Sequence, residues 1–399
     1  MTKVLLPSQS GPEGAVGMFI GGTWSTAADE ASIEVRDPAS DALVTHVPSA
    51  TTDDVRRAVD AAAAALPAWR SMVASERASL LRRWFDLMIR DEDRLARLMT
   101  LEQGKPVAEA RGEIRYAAGF VEWSAEEAKR IYGETVPASA TGKRILVLRQ
   151  PVGVAAAITP WNFPTSMITR KVGPALAAGC TMVVKPARQT PLSALALGEL
   201  AVEAGIPDGV LNIITGDSSM IGELLFEDER IRKVSFTGST DVGKQLMALA
   251  SRNVTNISLE LGGHAPFIVF DDADLDAAVE GAVASKFRNS GQTCICANRI
   301  YVQDGIRQAF VDKLAAAVSE LRVGPGTGDG VAIGPLIDDR AIEKVEAHVA
   351  DAIGLGARVV TGGQRLSLGE GLADRFYAPT VMDQVDSRMV ISREETFGP

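Results

Sequence analysis

The feature that most constrains this chain is the alternation that begins near residue 153. Gly153-Val154-Ala155-Ala156-Ala157-Ile158 reads as a buried strand, and Pro164 opens a helix that Gly179 ends. Thr181-Met182-Val183-Val184 is a second short strand. Pro191 opens the next helix, closed by Gly205 with Pro207 just beyond, the expected asymmetry of helix ends. Strands at 210–214 and 233–236 then alternate with helices at 218–226 and 239–250. Repeated strand–helix units with short connections imply a parallel, twisted sheet covered on both faces. Ligands of such sheets bind beyond the carboxyl ends of the strands.

The flanking regions fill out an α/β protein. Before the alternation, Thr52-Asp53-Asp54 is placed to cap an Ala-rich helix. A longer helix follows with Leu80, Leu81, Trp84, Phe85 and Met88 on one face, and another runs through Tyr116, Phe120, Trp123 and Ala128. Arg144-Ile145-Leu146-Val147-Leu148 looks like a strand. A second α/β block begins near Ile257, with strands at 257–261, 266–270 and 299–302 and helices at 274–287, 306–321 and 338–353. A length of 399 residues agrees with about two or three domains.

Composition narrows the function classes. The net charge of −10, without a long basic run, argues against nucleic acid or an anionic membrane surface as partner. Three cysteines (Cys180, Cys294, Cys296) cannot make a disulfide framework, and His46, His264 and His348 are too scattered for a metal site, so no metal is expected. The start, Met1-Thr2-Lys3-Val4-Leu5-Leu6-Pro7, lacks the apolar stretch of a signal peptide, and no apolar run has the length of a membrane span. The expected location is the cytoplasm.

Several segments carry chemistry. Gly238-Ser239-Thr240-Asp241-Val242-Gly243-Lys244-Gln245 follows a strand and opens a helix, where backbone N–H groups can face a phosphate. It departs from a P-loop at Gln245, whose amide lacks the hydroxyl that holds magnesium. Apolar 267–270 ending in Asp271-Asp272 gives the nucleotide-hydrolase alternative an acidic strand end. The dinucleotide fingerprint G-x-G-x-x-G is absent. Cys294, in Asn289-Ser290-Gly291-Gln292-Thr293-Cys294, sits in a Gly-rich polar turn and is a nucleophile candidate, whereas Cys180 reads as packing. With no histidine nearby, Glu260 is the candidate partner, and its apolar neighbours Leu259 and Leu261 suggest burial and a raised pKa. Asn162 is fixed between Pro160 and Pro164, which suits an oxyanion donor or a helix N-cap.

Together these segments resemble the aldehyde dehydrogenase superfamily through nearly all of the chain. Pro160-Trp161-Asn162-Phe163-Pro164, Lys185-Pro186, Phe236-Thr237-Gly238-Ser239-Thr240, Glu260-Leu261-Gly262-Gly263, Gly291-Gln292-Thr293-Cys294 and Glu394-Glu395-Thr396-Phe397-Gly398-Pro399 match in order and spacing. Ile168-Thr169-Arg170-Lys171, Ser285-Lys286-Phe287-Arg288-Asn289 and Cys294-Ile295-Cys296 resemble the succinate-semialdehyde dehydrogenase branch. The resemblance implies a Rossmann-like parallel-sheet coenzyme domain at 1–132 and 151–256, a small β oligomerisation element at 133–150, and a second α/β catalytic domain at 257–399. The family continues past the last motif, so a fragment is expected, with an exposed sheet edge and an incomplete pocket. The complete chain would form a homo-oligomer, a dimer or tetramer.

The implied roles follow residue by residue. Cys294 is the nucleophile, Asn162 the oxyanion donor, Glu260 the general base, and Lys171 lies near the nicotinamide and Glu260. Thr159, Trp161, Asn162, Lys185, Ala187, Arg188, Gly238, Ser239, Leu261, Glu395 and Phe397 contact the coenzyme. Family members preferring NAD often carry a glutamate where this chain has Arg188; a cation there attracts a 2′-phosphate, so NADP is expected, with NAD as the weaker alternative. Arg170 and Arg288 clamp the substrate carboxylate, against the plain reading of an arginine as a surface salt bridge. The expected reaction is oxidation of succinate semialdehyde, or a similar short acidic aldehyde such as glutarate semialdehyde. Cys296 is either a redox partner of Cys294 or a small packed residue. Competing classes are the nucleotide hydrolase and a truncated nucleotide-binding module without turnover.

Overall fold

A computed structural model describes residues 6–7 and 16–399; the opening segment assessed above for a signal peptide lies, apart from Leu6 and Pro7, outside them. The chain packs as two compact units. Unit 1 takes the chain up to Val35, Thr45–Leu98 and Arg111–Glu260, and unit 2 takes Arg36–Val44, Met99–Ala110 and Leu261–Pro399.

The chain opens with β1 (Met18–Ile20), β2 (Thr23–Ser25), β3 (Ser32–Arg36) and β4 (Leu43–Pro48). Helices α1 (Thr52–Ser71), α2 (Ala74–Arg90), α3 (Glu92–Gln103) and α4 (Val107–Ala128) follow. The hairpin of β5 (Glu134–Val136) and β6 (Ile145–Val147) precedes the alternating run. That run is β7 (Val154–Ile158), α5 (Ser166–Ala177), β8 (Thr181–Lys185), α6 (Pro191–Glu203), β9 (Leu211–Ile213), α7 (Ser218–Glu227), β10 (Ile231–Gly238), α8 (Thr240–Asn253) and β11 (Asn256–Leu261).

Unit 1 is built on a seven-stranded sheet in the order β11-β10-β7-β8-β9-β1-β2. The β10, β7, β8 and β9 pairs are parallel, and β1 adds antiparallel to β9. From β7 the chain steps outward through β8 and β9, then returns to the other side of β7 with β10. That reversal is a topological switch point, so the carboxyl ends of β7 and β10 flank the crevice where open α/β sheets bind ligands. The central strand β7 is buried along its whole length, as strands covered on both faces must be.

The core also explains the helices. Trp69 and Trp84 are buried, and each indole N–H finds a backbone carbonyl: Leu176 O at 3.2 Å and Leu197 O at 3.2 Å. Helix α1 is capped by Thr51, one residue before the expected position, in a capping box with Asp54. Helix α2 is shorter than α1, not longer as the periodicity suggested. Helix α3, rich in charge, was not anticipated. In α4 the expected apolar face is misplaced: Tyr116 and Trp123 are exposed, while Ile114, Ala117, Ala118, Val121 and Ala125 are buried. Aliphatic residues rather than Tyr116 and Trp123 make the buried face, with Phe120 half-buried.

The packing division falls after Glu260 rather than before Ile257, because β11 is an edge strand of unit 1's sheet. Unit 2 pairs β12 (Ala265–Val269) in parallel with β13 (Ala297–Val302). Helices α9 (Leu275–Phe287), α10 (Asp304–Ser319) and α11 (Asp339–Gly354) accompany them, followed by β14 (Arg358–Thr361), β15 (Arg365–Leu366), β16 (Phe376–Tyr377) and β17 (Val381–Asp383). Val269, Val279, Ala282, Phe287, Phe310, Leu314 and Val318 form its apolar core. Among the described residues no helix is long and apolar enough to cross a membrane, and no group of His, Cys, Asp and Glu is arranged to hold a metal ion.

Candidate active site

The switch point of unit 1 carries the first set of candidates. Strand β7 ends at Ile158 and runs into Thr159, whose N–H donates to Lys185 O at 3.1 Å. The turn Pro160–Pro164 then leads into α5. Asn162 is buried, and its side-chain oxygen accepts the Phe163 N–H at 3.1 Å. The helix that follows is capped from a distance: the buried Glu113 carboxylate of α4 accepts the N–H groups of Thr165 at 3.0 Å and Ser166 at 3.1 Å. A carboxylate at a helix N-terminus satisfies orphan donors and the macrodipole together. Glu113 thereby fixes the turn that carries Asn162, so the N-cap role weighed for Asn162 falls to Glu113.

Two lysines flank this turn. Lys171 of α5 is buried and donates to Thr237 Oγ1 at 2.6 Å, at the carboxyl end of β10. Burial, joined by the charge of Arg170, pushes its amine down to about 8, while the Glu260 carboxylate pulls the other way. Lys185, at the end of β8, donates to Ser218 Oγ. Burial again dominates and holds it at about 8, with Asp217 opposing and Arg188 reinforcing. Ala187 is buried and Arg188 exposed just beyond it. Thr159 Oγ1 is a buried polar atom without a hydrogen-bond partner.

Gly238 and Ser239 lie where expected, at the end of β10 and the cap of α8, with Ser239 Oγ accepting the Val242 N–H at 3.3 Å. This arrangement corrects the P-loop alternative. Helix α8 starts at Thr240, so Lys244 and Gln245 are exposed helical residues and no phosphate-cradling loop forms between Gly238 and Gly243. Glu260 needs a correction too. It is exposed, because its alternating edge strand turns Asn256, Ser258 and Glu260 to one open side. Apolar neighbours in sequence point to the opposite face of a strand and do not bury the residue between them.

Arg170 is half-buried on α5, and among the described residues no ion pair joins it to a carboxylate. Its guanidinium lies over the Phe120 ring instead, 5.4 Å from the centroid.

Unit 2 holds the remaining candidates. Asn289, Ser290 and Gly291 all have positive φ, at 52°, 57° and 71°, which is costly for the two residues that carry a Cβ. The surroundings over-determine them. Asn289 N–H donates to Glu109 Oε2 at 2.7 Å, and Ser290 Oγ bonds both Gly334 N at 2.9 Å and Gly334 O at 3.2 Å. Gln292 Oε1 accepts Ile337 N–H at 3.0 Å. Gly291 must lack a side chain for a second reason: a Cβ there would overlap Gly398 O. Cys294 sits just past this braced turn and is partly exposed, whereas Cys180 and Cys296 are buried. Arg288, at the start of the turn, is exposed.

The Cys296 thiol donates to Lys286 O at 3.3 Å and to Gly291 O at 3.6 Å, and burial pushes its pKa up. These contacts favour the packed reading of Cys296 over the redox one. Leu261 and Phe397 are half-buried. Glu395 packs against Gly262, where a Cβ would collide with it, and accepts the Gly263 N–H. Burial raises its carboxyl, and its Oε1 is buried without a partner. Lys286 Nζ donates to Gly398 O at 2.8 Å, and Thr396 Oγ1 lies 2.9 Å from His348 Nδ1, so this segment is anchored on both sides.

Glu113, Glu109, Gly334, Lys286 and His348 were not singled out from sequence as supports. The run Asn-Ser-Gly was the only local hint, since Asn and Gly tolerate left-handed backbone. A cavity of about 570 Å³ in unit 2, lined by Lys286, Asn298, His348 and Thr396 among others, includes none of the candidate residues.

Residues 24–399 match the family model described as the aldehyde dehydrogenase family. The chain is 58% identical over 381 residues to a glutarate-semialdehyde dehydrogenase of Pseudomonas aeruginosa. It is equally 58% identical over 381 residues to the NADP(+) succinate-semialdehyde dehydrogenase GabD of Escherichia coli; each alignment covers 96% of this chain and 78% of the relative. A crystal structure of succinate-semialdehyde dehydrogenase from Burkholderia pseudomallei matches with a TM-score of 0.95 at 54% identity, covering 100% of this chain and 80% of that one.

Proposed function

The chain belongs to the aldehyde dehydrogenase family, and from that premise we propose that it oxidises a short aldehyde bearing a carboxylate to the corresponding acid with NADP, NAD serving more weakly. Succinate semialdehyde is the first candidate and glutarate semialdehyde the longer one, in keeping with the names of its relatives. The observation that carries the reading is the placement of Cys294: alone among the three cysteines it is not buried, and it follows a turn held in left-handed backbone by distant partners. Strain of this kind, retained by over-determined packing, is a mark of functional sites.

In the proposed mechanism the Cys294 thiolate attacks the aldehyde carbon, forming a carbon–sulfur bond and an oxyanion. The Asn162 side-chain N–H and the Cys294 backbone N–H donate to that oxyanion, each contributing roughly 3–4 kcal/mol by analogy with measured donors. A nicotinamide coenzyme held by the residues named below would supply the hydride acceptor that converts the Cys294 adduct to a thioester. Glu260 takes a proton from water, the hydroxide equivalent attacks the thioester carbon, and the acid leaves as the thiolate is regenerated. Exposure suits this role, since Glu260 must meet water. Lys171, anchored on Thr237, supplies a positive field beside Glu260.

The residues present fit the coenzyme. Thr159 Oγ1 and Glu395 Oε1 are buried polar atoms without partners, and the hydroxyls of a ribose are of the kind that satisfies them. Trp161, Asn162, Lys185, Ala187, Gly238, Ser239, Leu261 and Phe397 complete the proposed contacts. Arg188, exposed beside Lys185, is assigned the 2′-phosphate. Arg170 and Arg288 are assigned the substrate carboxylate. The β5–β6 hairpin exposes Leu146 at 69%, with Tyr132 and Leu148 nearby at 68% and 74%, a concentration of apolar surface that supports a homo-oligomer built through residues 133–150.

The test is coenzyme reduction with succinate and glutarate semialdehyde, for the wild type and Cys294→Ser. Rapid NADPH formation that the substitution abolishes is expected. Absence of reduction with every acidic aldehyde, or full activity without the thiol, would refute the proposal.

A further inference from the structure

Helix α5 meets α4 at Gly173, where a Cβ would press on Ser124 Oγ at 2.8 Å and on Phe120 O at 3.2 Å. Ser124 Oγ in turn donates to Phe120 O at 2.6 Å. Arg170 precedes Gly173 by one helical turn, so its side chain lies over the same stretch of α4. There its guanidinium rests on Phe120, 5.4 Å from the ring centroid, with Nη1 3.9 Å from Met167 Sδ. Tyr116, one turn earlier on α4, meets Phe120 edge-on, with centroids 4.7 Å apart at 64°. Glu113, a further turn back, caps the start of α5. One stripe of α4 therefore sets both the position of α5 and the orientation of its arginine.

An aromatic face restrains a guanidinium without consuming its N–H donors, unlike a carboxylate partner, which would occupy them. The stacked group keeps its donor edge for a planar anion. We propose that Phe120, braced by Tyr116, is a specificity-determining positioning residue: it holds Arg170 ready for the carboxylate of the substrate. The inference rests on the proposed role of Arg170 and adds what makes that arginine selective.

The experiment compares kcat/KM for succinate semialdehyde with that for butanal, an aldehyde of equal chain length without the carboxylate. The proteins are the wild type, Arg170→Ala, Phe120→Leu and Phe120→Tyr. Phe120→Leu should lower the ratio roughly two- to thirty-fold, the range set by a cation–π contact. The loss should come through KM for the semialdehyde while butanal turnover holds. Phe120→Tyr, which keeps a ring face, should restore the ratio. Equal losses on both aldehydes, or failure of the tyrosine to rescue, would overturn the inference as a plain packing defect. An unchanged ratio in Arg170→Ala would remove the clamp and the inference with it. A ratio lowered by Arg170→Ala and untouched by Phe120→Leu would remove the inference alone.

Discussion

Replacing Lys171 by Met should stabilise unit 1 at neutral pH while damaging the enzyme. In the unfolded chain a lysine keeps its proton to about 10.5; in the fold, burial and the charge of Arg170 lower that to about 8. Between these values the unfolded state binds the extra proton, so the wild-type protein gains stability as pH rises through the window. Below it, the buried ammonium costs folding on the order of 3 kcal/mol, at about 1.4 kcal/mol per pH unit of displacement. By pH 10 that cost falls below about 1 kcal/mol. Lys171→Met removes the titrating group together with the hydrogen bond that it donates to Thr237 Oγ1, a loss that does not vary with pH in the variant. Lys185, similarly depressed, is present in both proteins and cancels. The variant should therefore exceed the wild type by about 2–3 kcal/mol more at pH 7 than at pH 10. Urea unfolding followed by tryptophan fluorescence measures this, because Trp24, Trp69, Trp84, Trp123 and Trp161 all lie in unit 1. Parallel stability curves across pH 7 to 10 would show that the amine is not held in the desolvated state described. Stabilisation accompanied by lost turnover is the expected trade where a strained charge serves function.

Two further outcomes follow from single residues. Arg188→Glu replaces a cation by a repelling carboxylate at the position assigned to the 2′-phosphate. The loss of a charge-assisted hydrogen bond, about 1.5–3 kcal/mol, should shift the NADP-to-NAD ratio of kcat/KM by roughly ten- to a hundredfold, and an unchanged ratio would move the phosphate site elsewhere. Gly291→Ala introduces a Cβ against Gly398 O in left-handed backbone, so the turn before Cys294 must shift. Alkylation of Cys294 by iodoacetamide should slow or accelerate severalfold, and a wild-type rate would show that the turn does not govern the thiol.

How much of this was legible depended on whether the signal was local. Strand and helix periods, the proline openings and the glycine exits are fixed by neighbouring residues, so β7 through α8 could be read almost in place. The motif segments could be matched to the family from sequence, and the roles proposed for the thiol at 294, the amide at 162 and the carboxylates at 260 and 395 rest on that match. Burial was not legible, because it depends on which strand ends at an edge. Leu259 and Leu261 look like a buried setting for Glu260 only until β11 is seen to pair on one side. The face of α4 is hidden for a related reason: Tyr116 and Trp123 suggest a core stripe, yet both are exposed while Ile114, Ala117, Ala118, Val121 and Ala125 are buried, a choice set by what packs against the helix and not by its own sequence.

The least legible part is the support, and the physics explains why. A left-handed Asn289 and Ser290 would relax in isolation, because the cost of that backbone outweighs any gain available within the turn. They persist only where Glu109 and Gly334, both far away in the chain, accept or donate the bonds that the turn itself leaves over. Likewise the Pro160–Pro164 turn advertises Asn162, but its orientation depends on Glu113 answering two amides that no nearby side chain satisfies. A sequence motif thus records what the chemistry needs at the reacting atoms. The residues that hold those atoms still are under a looser demand, one acceptor or one missing Cβ at the right point in space, and such a demand leaves no spacing to be read.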